Sequence, residues 1–310
     1  MSALVLAVLL SLVSAVAYAA AAIIQERVAA AGPGRAYAPV RRPAWWGSVG
    51  LNGLGATLHV AALAFGPLTL VQPMGALTIV FALPMAAVFA HRRAGGAAWR
   101  GAVLATAGLA GLLALTKGAD ADALATGSRL VLAAAGFGAV AALVVASRAP
   151  RRAATRSVLL AASAGTAFGL ASVFTKSVAE DWQSGLPLGE VPLLFVVAGF
   201  AATGLLLSQA SYRGAGLAAP LATVTVVNPV VAAAIGLCLF GESFRYGTAG
   251  TALALGFGVV AAGGLVLLTT RRPGAARPDK PVMTSGAPGA PARERQGDHP
   301  DQTATPPALR

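Results

Sequence analysis

Charge is scarce in this chain and leans one way: 11% of its 310 residues are Asp, Glu, Lys or Arg, with 11 acidic residues against 23 basic ones. A soluble domain carries about 25% charged residues, so a water-soluble globule is excluded. The single cysteine, Cys238, lies within an apolar run, which rules out a disulfide or a Cys-based metal site inside one chain. Aromatic residues make up 6% and histidines number three. With no aromatic-basic surface, the net charge of +12 does not describe a nucleic-acid binder. The chain has no P-loop, no paired-Asp motif for diphosphates, no His-Glu-x-x-His and no Gly-x-Ser-x-Gly. Gly214 to Ala219 fits a loose dinucleotide pattern, but no strand precedes it. Neither an enzyme nor a cofactor is expected.

Apolar length is what the chain has. Its composition is 56% hydrophobic and its mean hydropathy +0.73. A spanning helix needs about 20 mostly apolar residues, and nine runs qualify: Ala3 to Ile24, Gly47 to Phe65, Leu70 to Ala90, Ala98 to Thr116, Leu130 to Ser147, Ser157 to Thr175, Val191 to Gln209, Leu217 to Phe240 and Thr248 to Thr270. Ala17-Tyr18-Ala19 has the form of a signal-peptide cleavage site. Met1-Ser2 supplies no basic n-region, however, and the run is long for a signal peptide, so it is read as a retained helix. The fold expected is an all-α polytopic membrane protein.

The basic residues gather on alternate links. Arg27, Arg35, Arg41 and Arg42 follow the first run; Arg92, Arg93 and Arg100 the third; Arg148, Arg151, Arg152 and Arg156 the fifth; Arg213 the seventh; and seven more lie in the tail. Only Lys117, Arg129, Lys176 and Arg245 fall on the other side, beside Asp120, Asp122, Glu180, Asp181, Glu190 and Glu242. The positive-inside rule then sets the N-terminus outside and the C-terminus in the cytoplasm, with the plasma membrane as the expected location. The tail is rich in Pro, Ala, Gly and charge and reads as disordered.

The runs also repeat. Ala17-Tyr18-Ala19 through Gln25-Glu26-Arg27 to Ala29 aligns without a gap on Ala167-Phe168-Gly169 through Ala179, which pairs Tyr18 with Phe168 and Glu26 with Lys176. Gly66 to Pro73 resembles Gly214 to Pro220, each leading into a helix with a further proline, Pro84 or Pro229; Gly108-Leu109 to Leu113 resembles Gly263-Gly264 to Leu268. Four helices, one linker helix and four helices follow. Because the linker is a single span, the two repeats are inverted. The domains read as 1–116 (first repeat), 117–156 (linker helix and its loops), 157–270 (second repeat) and 271–310 (basic cytoplasmic tail). Inverted repeats are shared by many secondary transporters, with substrate held near the midplane between them.

Polar groups inside spans are costly and should face the bundle interior. The candidates for a substrate pathway are Asn52 and His59 in helix two, Gln72 and Pro73 in helix three, Gln209 in helix seven, and Asn228 with Pro229 in helix eight. The two prolines free backbone carbonyls and are expected to supply helix breaks. Glu26 reads as an interfacial partner of Arg27, and Lys176 as a side chain snorkelling to the interface. No carboxylate lies mid-span, so a resident metal is not expected.

Ala219-Pro220 through Asn228-Pro229-Val230, Gly241-Glu242, and Ala167-Phe168-Gly169 to Lys176 resemble the EamA type of the drug/metabolite transporter superfamily. The nine spans and Leu70 to Leu77 are similar to its NIPA-like magnesium transporter branch. The common EamA pattern has ten helices, and His91-Arg92 stands here where a Gly-Glu pair is usual. The resemblance implies a secondary carrier with alternating access. A small organic metabolite or drug-like solute is the first-ranked substrate. Divalent-cation (Mg2+) transport and a non-transporting scaffold are the alternatives. The partners expected are the lipid bilayer and a small-molecule or cation substrate, and the sequence leaves room for a homodimer.

Overall fold

The computed structural model describes residues 2–31, 38–66, 71, 74–90, 95–117, 126–182, 191–239 and 241–270. These residues belong to one compact unit, Met1–Pro273. Among them are nine α-helices: α1 (Ala3–Ala30), α2 (Pro43–Phe65), α3 (Leu77–Ala90), α4 (Gly96–Leu115), α5 (Thr126–Ala146), α6 (Ala153–Trp182), α7 (Val191–Ser211), α8 (Ala218–Leu239) and α9 (Gly247–Thr270). Eight are long and apolar enough to cross a membrane, and the described part of α3 is a shorter apolar helix. A protein spanning lipid in this way must satisfy its backbone within each helix, so the polytopic all-α fold follows from the apolar runs. The tail, Gln72 and Pro73 lie outside the described residues.

The helices outrun the apolar runs furthest at α1 and α6. α1 continues past Ile24 to Ala30, and α6 begins at Ala153 and runs to Trp182. Gln25, Glu26, Arg27 and three following small or β-branched residues do not break a helix. Hydropathy ends before the hydrogen-bond ladder does. One short feature was not foreseen: Thr116–Lys117 (β1) pairs antiparallel with Ser243–Phe244 (β2), and the Arg245 amide donates to the Leu115 carbonyl at 2.8 Å. This ribbon joins the end of α4 to the link between α8 and α9.

Packing reproduces the repeat in three dimensions. The Tyr18 ring of α1 lies on Gly55 of α2, where an added Cβ would stand 3.1 Å from the ring; the Phe168 ring of α6 lies likewise on Gly204 of α7, at 2.9 Å. The Tyr18–Phe168 register thus holds in the packing as well as in the sequence. In the second half, Gly165 and Gly169 of α6 admit Val227, Asn228 and Val231 of α8, so these two helices run parallel. The linker helix α5 packs on the second half. Phe137 stacks on Phe200 of α7 with centroids 3.9 Å apart, and Gly136 receives Leu170 of α6.

The halves meet most closely at α4 and α9. A Cβ on Gly108 would strike the Ala261 amide and lie 2.7 Å from the Phe257 carbonyl. A Cβ on Gly264 would strike the Ala105 amide and lie 2.7 Å from the Gly101 carbonyl. The two sets interchange when 108 is swapped with 264, 105 with 261, and 101 with 257. Such reciprocity is the signature of a two-fold relation. The helices cross antiparallel, since Gly101 faces Leu268 while Gly111 faces Phe257. The axis therefore runs across the helices rather than along them, and the copies are inverted. The sequence alignment of Gly108 with Gly263 is off by one residue, because Gly263 has nothing within 4 Å of an added Cβ. Gly108→Leu and Gly264→Leu should each lower the Tm of the purified protein, overpacking costing roughly 1–3 kcal/mol or more. Gly263→Leu should leave the Tm unchanged, and equal effects at 263 and 264 in thermal unfolding would contradict this register.

Candidate functional site

Most buried hydroxyls in the bundle satisfy themselves. Ser11 donates to the Ala7 carbonyl, Ser163 to that of Leu159 and Thr223 to that of Ala219, each one helical turn back. Such bonds are local and mark no site. Different behaviour appears at the end of the bundle where α1 and α7 finish, the end that also carries Arg41, Arg42, Arg100 and the run from Arg148 to Arg156. We call this the basic end.

There Gln25 and Glu26 of α1 meet Ser208, Gln209 and Tyr212 at the end of α7, each 5% exposed or less. The Gln209 amide Nε2 donates to the Gln25 carbonyl at 3.0 Å, and Ser208 Oγ donates to Gln25 Oε1 at 3.3 Å. Burial pushes the Tyr212 hydroxyl pKa up; the Glu26 carboxylate pushes it the same way, against a hydrogen bond with Ser208. Tyr212 therefore stays neutral and within electrostatic reach of Glu26. Gln209 Oε1 is buried with no hydrogen-bond partner. Its amide cannot simply be flipped, because the other end faces a backbone carbonyl that only accepts.

The repeat places a counterpart at the opposite end. Glu26 corresponds to Lys176 in the Tyr18–Phe168 register, and Ser208 to His59 in the Gly55–Gly204 register. Lys176 Nζ is 3.0 Å from Glu242 Oε1, so it is ion-paired and not merely snorkelling. Gly241, with φ of +64°, turns the chain back, the Glu242 amide bonds the Gly236 carbonyl at 3.1 Å, and the Glu242 carboxylate lies directly over Gly236. The Gly-Glu pair noted in the sequence thus closes α8 and neutralises Lys176. The two carboxylates sit at opposite ends of the bundle.

The remaining candidates are spread out. Asn52 is half-buried and donates to the Ser48 carbonyl at 2.8 Å, a bond within its own helix. His59 is half-buried one stripe along from Asn52 on α2. Asn228 and Pro229 are half-buried where α8 crosses α6, with the Asn228 amide nitrogen 3.2 Å from a Cβ built on Gly165. α8 continues through Pro229 to Leu239, so the proline does not end the helix. Ser157 of α6 bonds the Ser211 carbonyl, which puts Gln209 near the level of Ser157, whereas Asn228 is level with Gly165. Eight residues of α6 separate those levels, about 12 Å of rise. Gln209 is thus the one described candidate that joins a buried polar cluster. Of its companions, Gln25 is not among the sequence candidates because the first apolar run stops at Ile24, and Glu26 reads from the sequence as an interfacial partner of Arg27. The helix-forming stretch that follows was the signal available for them.

Residues 1–145 match the family described as Magnesium transporter NIPA, a match that takes in α1 to α4 and nearly all of α5. An uncharacterized protein of Corynebacterium glutamicum is 25% identical over 255 residues, covering 77% of this chain and 86% of that protein. A protein of Candida albicans named as a probable magnesium transporter is 36% identical over 56 residues, 18% of this chain and 15% of its own length. No solved structure matches. The likeness first read from Leu70 to Leu77 and the span count therefore extends through the first half of the chain, which is NIPA-like.

Proposed function

We propose that this chain is a multi-pass carrier of divalent cations, with Mg2+ as its cargo. The observation that carries the reading is the magnesium-transporter match over residues 1–145; the short likeness to a named magnesium transporter points the same way. Sequence reasoning ranked an organic solute first because no carboxylate lay mid-span. That objection loses weight once Glu26 lies inside α1 and is buried in the bundle. Mg2+ gives up its waters reluctantly and is commonly held by one or two carboxylates with water filling the other positions. One carboxylate among neutral oxygens suits passage of a hydrated ion better than it suits an apolar drug. The inverted packing of α4 on α9 supports alternating access by one half moving against the other.

The carrier reading makes two predictions. Purified protein in vesicles loaded with a Mg2+-sensitive dye should give a dye response to an imposed Mg2+ gradient that protein-free vesicles lack. Metabolite counterflow without any Mg2+ response would return the organic-solute reading. For orientation we propose N-terminus out and C-terminus in the cytoplasm, in the plasma membrane, from the Arg-rich alternate links. Alkaline phosphatase fused after Arg213 should be inactive and after Lys117 active, and the reverse pattern would invert the topology.

A further inference from the structure

We propose that the cluster of Glu26, Gln25, Ser208, Gln209 and Tyr212 at the basic end is a binding site for a hydrated divalent cation; this rests on the carrier reading above. Two independent observations meet there. The first is a carboxylate inside a membrane helix, 5% exposed, which is expensive to keep in a bundle and marks ion or substrate pathways. The second is the Gln209 side-chain oxygen, buried and without a hydrogen-bond partner. Buried acceptors are nearly always satisfied, and an exception calls for a water or an ion. The Gln209 orientation is held by its Nε2 bond to the Gln25 carbonyl, so its orphaned atom is an oxygen and its missing partner is a donor or a cation.

The donor set fits a metal that keeps its water. Glu26 supplies the one anionic oxygen, Gln209 Oε1 a free neutral one, and Gln25 Oε1 another that now accepts from Ser208. Tyr212, held neutral, can accept from or donate to a metal-bound water. The site does not require Glu26 to be idle: the carboxylate has an interaction of its own in this structure, and an arriving cation would exchange with that contact. The counterpart position underlines the specialisation. There the repeat puts a lysine, Lys176, paired with Glu242, where this site has a carboxylate. Because α1 belongs to the first repeat and α7 to the second, an ion held between them bears directly on how the halves meet.

The test uses the full-length protein in detergent, with MgCl2 titrated against NaCl of equal ionic strength and unfolding followed by temperature. A ligand that binds the folded state raises the Tm with concentration. Mg2+ should stabilise the wild type, and Glu26→Gln and Gln209→Leu should each move the midpoint of that effect to about tenfold higher Mg2+ or beyond. Glu242→Gln, at the opposite end, should keep the wild-type midpoint. If Glu26→Gln does not fold, Glu26→Asp should give an intermediate midpoint and Gln209→Leu carries the comparison. Equal Mg2+ midpoints in all variants, together with Mg2+ flux in vesicles, would overturn this site and leave the carrier reading standing. Flux without any Mg2+-specific stabilisation would also overturn it and leave an ordered water as the occupant. No stabilisation and no flux in the wild type would remove both the site and the carrier reading.

Discussion

The contact on which the bundle depends is the backbone-to-backbone approach of α4 and α9. In lipid no hydrophobic force drives helices together, because the tails are as apolar as the side chains; van der Waals packing must do it, and it requires small residues at the crossing. Gly108 and Gly264 provide it, each admitting the other helix's main chain where no Cβ would fit. The interchange of 108 with 264 and 105 with 261 places the symmetry axis of the two halves at this crossing. Around it the aromatic-on-glycine contacts of Tyr18 and Phe168 form the next tier, again once in each half.

Symmetry in the packing makes the asymmetry in the charges informative. The same structural position holds Glu26 at the basic end and Lys176 at the other. The lysine is compensated by Glu242, which the left-handed turn at Gly241 brings back over α8. Nothing in helix packing requires a charge at either place, and burying one costs energy. On the cation-site proposal, a carboxylate at one matched position and a lysine already paired with Glu242 at the other would make the two ends unlike in cation affinity.

Much of this could be read from the sequence, and the failures have physical causes. Among the described residues the nine apolar runs are represented by nine helices, because lipid makes an apolar run of about 20 residues satisfy its backbone within itself. The Tyr18–Phe168 register was legible because in each half a large ring at the same position meets a glycine of the next helix. The α4–α9 register slipped by one because Gly263 and Gly264 are alike as letters, and only the neighbouring helix distinguishes them. Glu26 was undervalued for the same kind of reason. Whether a carboxylate at a helix end meets solvent or another helix depends on what packs beside it, and the composition of its own helix does not carry that information. Asn228 was prominent in the sequence, yet its visible contact is main-chain packing on Gly165 and Gly169.

The two ends also differ in how the halves are joined. Among the described residues, the end opposite the basic one carries the β1–β2 ribbon and the backbone bond from Arg245 to Leu115, both between the first repeat and the second. At the basic end Gln209 bonds the Gln25 carbonyl and Ser208 the Gln25 side chain, beside Glu26 and Arg213, which have interactions of their own. Neutral side-chain bonds of this kind are worth about 1 kcal/mol each, and water or a hydrated ion can replace both. A paired ribbon must lose its hydrogen bonds together. At the basic end the exchangeable side-chain bonds and the buried carboxylate coincide. Binding and opening can then be linked through Gln25 and Gln209, since a ligand that engages these groups changes the contact between the repeats directly.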